Sequence, residues 1–110
     1  MTDFIQKTLH GAGPNGVVVF SKSYCPYCMR AKNDLASIGV SPVAVELDQR
    51  NNGGEVQRAL MQMTGQRTVP SVWVAGKHIG GSDDTRRLVQ SGQFQEMMIM
   101  IPQRQATRAY

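Results

Sequence analysis

The sequence predicts an α/β fold, a small mixed four-stranded sheet flanked by helices, on three observations. Residues 16–20 (GVVVF) form a continuous apolar, β-branched run, which is typical of a strand buried on both faces. A segment with helical spacing separates this run from a second one at residues 43–47 (VAVEL), and a strand–helix–strand unit favours parallel pairing through a right-handed crossover. Residues 71–75 (SVWVA) and His78–Ile79 are joined by Gly76-Lys77, which indicates an antiparallel edge.

Four helical segments alternate with these strands. Each has apolar residues at helical spacing and ends at a glycine, as helices commonly do. The predicted helices run from Thr2 to Gly11, from Pro26 to Gly39, over residues 55–64, and from Ser82 with a break at Gly92 before Phe94, Met97 and Met98. We predict one domain over residues 1–101. Residues 102–110 (PQRQATRAY) lack apolar periodicity and are predicted to form a disordered tail.

Length and composition narrow the classes of function. The 110 residues are 41% hydrophobic and 18% charged, which is typical of one globular domain. No run approaches the ~18 consecutive apolar residues of a membrane span, and the N-terminus lacks a secretory or organellar pattern. We therefore expect a cytoplasmic protein without a membrane partner. The net charge of +4 is compatible with an acidic ligand. The basic residues are scattered along the sequence, which argues against nucleic acid as a partner.

The chemistry is indicated by the two cysteines, Cys25 and Cys28. Two cysteines are too few for a disulfide-stapled secreted scaffold. Cys25 lies where a strand ends and a helix begins, and the unpaired N–H groups and partial positive charge of a helix N-terminus favour a thiolate. Lys22 adds positive charge on the same loop, and Cys28 faces Cys25 one helical turn later. An attacking thiolate with a second thiol beside it is the minimum apparatus for thiol–disulfide exchange.

The alternative interpretation of this pair is half of a zinc site, since C-x-x-C also begins many zinc modules. A structural zinc needs four ligands, and the chain has no other cysteine. Its two histidines, His10 and His78, lie far from the spacing of a zinc module. We therefore predict no metal site, and we assign His78 and the half-buried strand residue Trp73 structural roles.

Three motifs identify a family. KSYCPYC at residues 22–28, TVP at residues 68–70 and GGSDD at residues 80–84 together resemble the dithiol glutaredoxins, in matching order from about Phe4 to Ile99. The resemblance implies the thioredoxin fold. Thioredoxins themselves usually carry WCGPC, which is absent here.

The resemblance implies that glutathione is a co-substrate and that no cofactor is bound permanently. In the family the lysine before the cysteine motif, here Lys22, holds the glycine-end carboxylate of glutathione. Gln57 corresponds to a further ligand of that carboxylate, and Arg67 is another candidate. Tyr27 packs its ring beside the bound peptide. The alternative for these side chains is ordinary surface or helix-edge packing.

The other two motifs supply the remaining glutathione contacts. The segment Thr68, Val69, Pro70 presents backbone groups of Val69 to the cysteine part of the ligand, like an added strand, and family proteins hold the Val–Pro bond cis. The free N–H groups that follow Gly81, from Ser82 on, take the γ-glutamyl carboxylate. Asp83 or Asp84 takes the neighbouring ammonium. Without a ligand, the same residues describe a proline opening an edge strand and a capped helix.

The function that the resemblance implies is glutathione-dependent reduction of disulfides. Cys25 attacks glutathionylated or disulfide-containing proteins, glutathione or Cys28 resolves the product, and the protein acts as a monomer. The rival hypothesis is a carrier in which two chains and two glutathiones ligate a [2Fe–2S] cluster. In the family that role accompanies Gly or Ser after the first cysteine, and Pro26 disfavours it.

Overall fold

The computed structural model describes residues 1–13 and 16–98, and the predicted tail at residues 102–110 lies outside them. The helices are α1 (Thr2–Gly11), α2 (Pro26–Ala36), α3 (Gly53–Thr64) and α4 (Ser82–Ser91), and residues 93–98 are also helical. The strands are β1 (Val17–Ser21), β2 (Val43–Glu46), β3 (Ser71–Val74) and β4 (Lys77–Gly80). A single 3₁₀ turn, Leu47–Gln49, follows β2.

The four strands form one mixed sheet in the order β2-β1-β3-β4. β1 pairs with β2 in parallel, and β3 is antiparallel to both β1 and β4. The predicted four-stranded mixed sheet is confirmed. No helix within residues 1–13 and 16–98 has the length and apolar character needed to cross a lipid bilayer.

Helices cover both faces of the sheet, because alternate residues of β1 point to opposite sides. Val18 and Phe20 belong to a core shared with α1 and α3, whereas Val17 and Val19 belong to a core shared with α2 and the helical residues 93–98. The first core contains Ile5, Leu9, Val18, Phe20, Val45, Leu47, Val56, Ala59, Leu60 and Trp73. The second contains Val17, Val19, Ala31, Leu35, Val40, Val72, Val74 and Phe94. The side chain of Trp73 is therefore buried, at 5% exposure, rather than half-buried.

The register of the strands gathers the three motifs at one edge of the sheet. Phe20 near the end of β1 lies opposite Ser71 at the start of β3. The loop that leads into β3 therefore ends beside the loop that follows β1. Val72 pairs with Gly80 at the end of β4, which brings the start of α4 to the same edge. Segments 22–28, 68–70 and 80–84 thus meet although they are far apart in the chain.

The connection from β2 to α3 differs from the prediction. α3 begins at Gly53 rather than at Glu55, and the 3₁₀ turn before it was not predicted. A side chain at Gly53 would place its Cβ 1.9 Å from the carbonyl oxygen of Leu47. Glycine is needed at this position because the backbone of the 3₁₀ turn passes directly against the first turn of α3.

Candidate active site

Cys25 occupies the N-cap position of α2, where extended backbone (φ −88°, ψ 118°) turns into helix. Its N–H donates to the carbonyl oxygen of Lys22 at 3.0 Å, and its own carbonyl accepts from the N–H of Met29 at 3.1 Å. Pro26 follows in the first turn, where the absent N–H costs no helical hydrogen bond. The side chain of Cys25 therefore lies against the unpaired N–H groups at the start of the helix.

The surroundings of Cys25 favour its thiolate. Burial by itself raises the pKa of a thiol, but here hydrogen bonds outweigh it and the pKa lies below its ordinary value. The donors are the backbone N–H and the thiol of Cys28 and the backbone N–H of Tyr27, and the charge of Lys22 acts in the same direction. These are the contributions that the sequence predicts for a cysteine at a helix start beside Lys22.

Cys28 has the opposite surroundings. It is fully buried, and burial is the main reason that its pKa lies above the ordinary value. A backbone hydrogen bond at Lys22 opposes this effect, the neighbouring Cys25 raises the pKa further, and the Ser21 hydroxyl lowers it. The two sulfurs are not joined by a disulfide in this structure. Cys25 is therefore the more accessible and the more acidic of the two thiols.

A cleft of about 440 Å³ opens at the edge of the sheet where the motifs meet. Its walls come from all three, with Tyr27 of the cysteine motif facing the segment before β3 and the start of α4. The lining residues are Tyr27, Gln66, Thr68, Val69, Pro70, Gly81, Ser82, Asp83 and Asp84. The Val69–Pro70 bond is cis, as the resemblance implied. Eight of the predicted glutathione-binding residues are thus together in one cleft.

The three residues predicted at the glycine end of glutathione lie elsewhere. Gln57 and Arg67 line a separate hollow of about 300 Å³ together with residues 54, 58 and 61. They contact each other, since the side-chain amide of Gln57 donates to the carbonyl oxygen of Arg67 at 3.1 Å. Lys22 lines neither the cleft nor this hollow. Its positive charge lowers the pKa of Cys25.

The acidic side chains at the start of α4 are already partly engaged. Arg30 of α2 donates to the Ser82 hydroxyl at 2.7 Å and forms an ion pair with Asp83. Asp84 accepts the N–H of Gly81 at 3.2 Å and pairs with Arg87 at 2.9 Å. The Gly81 hydrogen bond is the main cause of the lowered pKa of Asp84, and Arg87 contributes next. Asp83, with 91% of its side chain exposed, is the freer of the two to meet an ammonium group.

Three side chains that hold the site together were not predicted from the sequence. Arg30 links α2 to α4 as described above. Asp48, in the 3₁₀ turn, accepts hydrogen bonds from both the N–H and the hydroxyl of Ser23. Gln66 hydrogen-bonds the segment before β3. Their partners are contacts of the folded chain, and a single sequence carries no local signal for them.

A metal centre finds no support in the part of the chain that the structure describes. Within residues 1–13 and 16–98, no three His, Cys, Asp or Glu side chains come together in a group that could hold an ion. The two cysteines therefore have no protein-supplied set of further ligands in these ranges.

The sequence is similar to known glutaredoxins. The family model named Glutaredoxin matches residues 17–79, more than half of the chain. Glutaredoxin-C4 of Arabidopsis thaliana is 45% identical over 96 residues, which cover 87% of this chain and 69% of the relative. Glutaredoxin-C8 of Oryza sativa subsp. japonica is 48% identical over 99 residues, which cover 88% of this chain and 71% of the relative.

The structural comparison agrees. The crystal structure of a buckwheat glutaredoxin–glutathione complex superposes with a TM-score of 0.81 at 40% sequence identity, covering 92% of each chain. A mixed sheet of this order, a cysteine pair at the start of α2 and these relatives lead to one conclusion: the chain belongs to the glutaredoxin family.

Proposed function

We propose that this glutaredoxin reduces glutathione mixed disulfides and protein disulfides, with glutathione as the source of electrons. One observation carries the proposal: an accessible, acidic Cys25 lies two residues before Tyr27, which lines the cleft, and the buried Cys28 lies one helical turn after it. The buckwheat relative that was crystallised with glutathione supports the choice of ligand. No permanently bound cofactor is needed for this chemistry.

Glutathione is an anionic tripeptide with a carboxylate at each end, and the cleft offers complementary groups along its length. The backbone of Val69 would pair with the cysteine residue of glutathione, beside the ring of Tyr27. The N–H groups at the start of α4 would take the γ-glutamyl carboxylate, and Asp83 the ammonium. The glycine-end carboxylate would be bound by Lys22, Gln57 and Arg67. Because Gln57 and Arg67 line the second hollow, the ligand would extend from the cleft toward that hollow.

Reduction of a glutathione mixed disulfide needs only one protein sulfur. The Cys25 thiolate attacks the sulfur of the glutathione moiety, a new S–S bond forms, and the substrate leaves as a thiolate that takes up a proton. A second glutathione, as its thiolate, then attacks the same glutathione sulfur and expels Cys25. The products are the reduced substrate and oxidised glutathione: one glutathione thiol is consumed, and the other half of the oxidised glutathione comes from the mixed disulfide.

Reduction of a protein disulfide uses both cysteines. Cys25 attacks the substrate disulfide and remains joined to the substrate in a mixed disulfide. Cys28 loses its proton and attacks the Cys25 sulfur, which releases the substrate thiol and leaves a Cys25–Cys28 disulfide. Two glutathione molecules then reduce that disulfide. The intramolecular step is fast because the second thiol is held beside the first.

Separate substitution of the two cysteines tests these roles. Cys28→Ser should keep most activity toward a glutathionylated peptide while losing most glutathione-driven reduction of a protein disulfide. Cys25→Ser should abolish both, because no other thiolate lies at the helix start. Loss of deglutathionylation in the first variant, or its retention in the second, would show that nucleophile and resolving thiol are wrongly assigned.

The setting of the reaction is part of the same proposal. A reducing cytoplasm would keep the two thiols reduced between turnovers, and glutathionylated or disulfide-containing proteins would be the macromolecular partners. The active form would be the monomer, since all the groups invoked above come from one chain.

A further inference from the structure

Gln66 lies between the end of α3 and the strand β3, and it hydrogen-bonds the loop that forms one wall of the cleft. Its side-chain amide nitrogen donates to the carbonyl oxygen of Thr68 at 2.8 Å and to that of Pro70 at 2.7 Å. One amide group therefore uses both of its N–H bonds on the two residues that flank Val69.

This arrangement leaves Val69 available to a ligand. In the part of the chain that the structure describes, neither its N–H nor its carbonyl takes part in a hydrogen bond with another loop, cap or side chain. Gln66 also approaches the opposite wall, since a methyl group on Gly81 would lie 3.8 Å from the Gln66 amide nitrogen. The same side chain thus contacts the loop on both sides of Val69 and lies near the start of α4.

His78 of β4 holds Gln66 in this orientation. Its Nε2 lies 3.2 Å from Oε1 of Gln66. Because the amide nitrogen is aimed at two carbonyls, the amide oxygen faces the ring, and Nε2 must carry the hydrogen. The ring packs against Trp73 with centroids 5.2 Å apart. Burial lowers the pKa of His78, but an imidazolium also donates from Nε2, so this hydrogen bond does not depend on the protonation state.

We propose that Gln66 is a positioning residue for glutathione recognition and that His78 acts through it. In this relay, His78 Nε2–H donates to the Gln66 amide oxygen, and the Gln66 amide nitrogen donates to the carbonyls on either side of Val69. These hydrogen bonds keep the Val69 backbone oriented toward the peptide part of the ligand. The inference rests on the proposed function, since it concerns how glutathionylated substrates are held. Neither side chain touches a reacting sulfur.

The test compares Gln66→Met, His78→Phe and the double variant with a matched control, Gln62→Met, which changes an exposed glutamine on α3. Gln66→Met keeps the length of the side chain and removes its donors. We expect KM for a glutathionylated peptide to rise roughly three- to tenfold, which is what loss of one or two neutral hydrogen bonds produces, with kcat within about twofold. His78→Phe, which keeps a ring against Trp73, should raise KM less.

Three readouts separate positioning from general damage to the fold. The pH profile of Cys25 alkylation, which needs no bound ligand, should match wild type in every variant. In the Gln66→Met background, His78→Phe should cause no further rise in KM, because its effect passes through Gln66. The control should leave KM unchanged.

The outcomes distinguish this inference from the proposed function. If wild type reduces the glutathionylated peptide but Gln66→Met leaves KM unchanged, or if the two substitutions act additively, the relay is wrong and the proposed function stands. If the pH profile of Cys25 alkylation shifts together with the KM effect, Gln66 has a structural role only. If wild type itself does not reduce the peptide, the proposed function fails first.

Discussion

At the scale of single residues, the two sulfurs of the site differ because their surroundings differ. Cys25 receives hydrogen bonds from the first N–H groups of α2 and from the Cys28 thiol, whereas Cys28 is enclosed by the core. The pKa of the first is lowered and that of the second is raised, so Cys25 loses its proton before Cys28 as pH rises. This difference orders the steps of the reaction, since only the thiolate attacks.

Alkylation by iodoacetamide measures this difference directly. We expect Cys25 to react first, and to react at about pH 6, where an ordinary thiol with a pKa of about 8.5 is almost fully protonated. Cys28→Ala removes one of the hydrogen bonds to the Cys25 sulfur and should shift the profile to higher pH, whereas Cys28→Ser retains a donor and should shift it less. Labelling of Cys28 before Cys25 would contradict the assignment.

Lys22→Ala should have two separable effects. Loss of the charge near Cys25 should shift the alkylation profile to higher pH. Loss of the proposed carboxylate contact should raise KM for a glutathionylated peptide, by an amount equivalent to roughly 1–3 kcal/mol for a charged hydrogen bond, and toward the lower end because Lys22 is partly exposed.

Lys77→Ala serves as the matched control for Lys22→Ala, since it removes the same charge from the exposed start of β4. The KM effect of Lys22→Ala should shrink with added salt, which screens charges at the surface, while Lys77→Ala should show neither effect. An unchanged KM in Lys22→Ala would remove that residue from the binding site while leaving its electrostatic role intact.

At the scale of elements, the 3₁₀ turn after β2 is joined to the loop that carries the nucleophile. Asp48 in that turn accepts the N–H of Ser23 at 2.9 Å and also the Ser23 hydroxyl. These hydrogen bonds are the main reason that the pKa of Asp48 is lowered from 3.8, and Lys22 contributes a smaller part. The connection ties the end of the parallel strand pair to the start of α2.

This tie has a defined pH dependence. Because the folded-state pKa of Asp48 is depressed, its contribution to stability is fully present above the unfolded value near 3.8 and is lost as pH falls through the lower folded value. Asp48→Asn should therefore reduce the free energy of unfolding at neutral pH, and the difference from wild type should vanish in strong acid. Urea denaturation at a series of pH values measures it, with Glu96→Gln, an exposed carboxylate, as the control.

A difference between wild type and Asp48→Asn that stays constant down to pH 2 would mean that the charge of Asp48 does not contribute. A second measurement locates the effect: Asp48→Asn should increase hydrogen exchange at the Ser23 amide more than at amides in the middle of β1.

Most elements were predictable because their signals are local. The apolar run of β1, the helical spacing of α2 and the turn between β3 and β4 each lie within a dozen residues of chain. The 3₁₀ turn and the early start of α3 were not predictable, since they follow from the contact between Gly53 and the Leu47 carbonyl. Among site residues, Cys25 and Cys28 were predictable from spacing, and residues 68–70 and 81–84 from motifs. Gln66 was missed because an isolated glutamine has no pattern; its role depends on carbonyls that only the fold brings to it.

At the scale of the whole molecule, the sheet order decides where the chemistry lies. The central strands β1 and β3 bring the cysteine loop and the cis-proline loop to one edge, and β4 adds the start of α4. All the groups that the proposed reaction needs thus come from one chain. The cluster-carrier hypothesis would instead require two chains to associate around a [2Fe–2S] cluster.

The structure of the α2 start argues against such an association. A bridging [2Fe–2S] cluster would take a thiolate from each of two chains and two from glutathione, which requires the Cys25 loop to adapt to a partner. Pro26 occupies the first turn of α2, and its ring fixes φ and removes an N–H.

We therefore expect protein purified anaerobically with glutathione to be colourless and to elute as a single chain on gel filtration. Pro26→Gly, incubated with iron, sulfide and glutathione, should gain visible absorption and a dimer peak more readily than wild type treated identically. Visible charge-transfer bands with a dimer in wild type would favour the cluster carrier, and equal cluster yield in both proteins would show that Pro26 is not what prevents it.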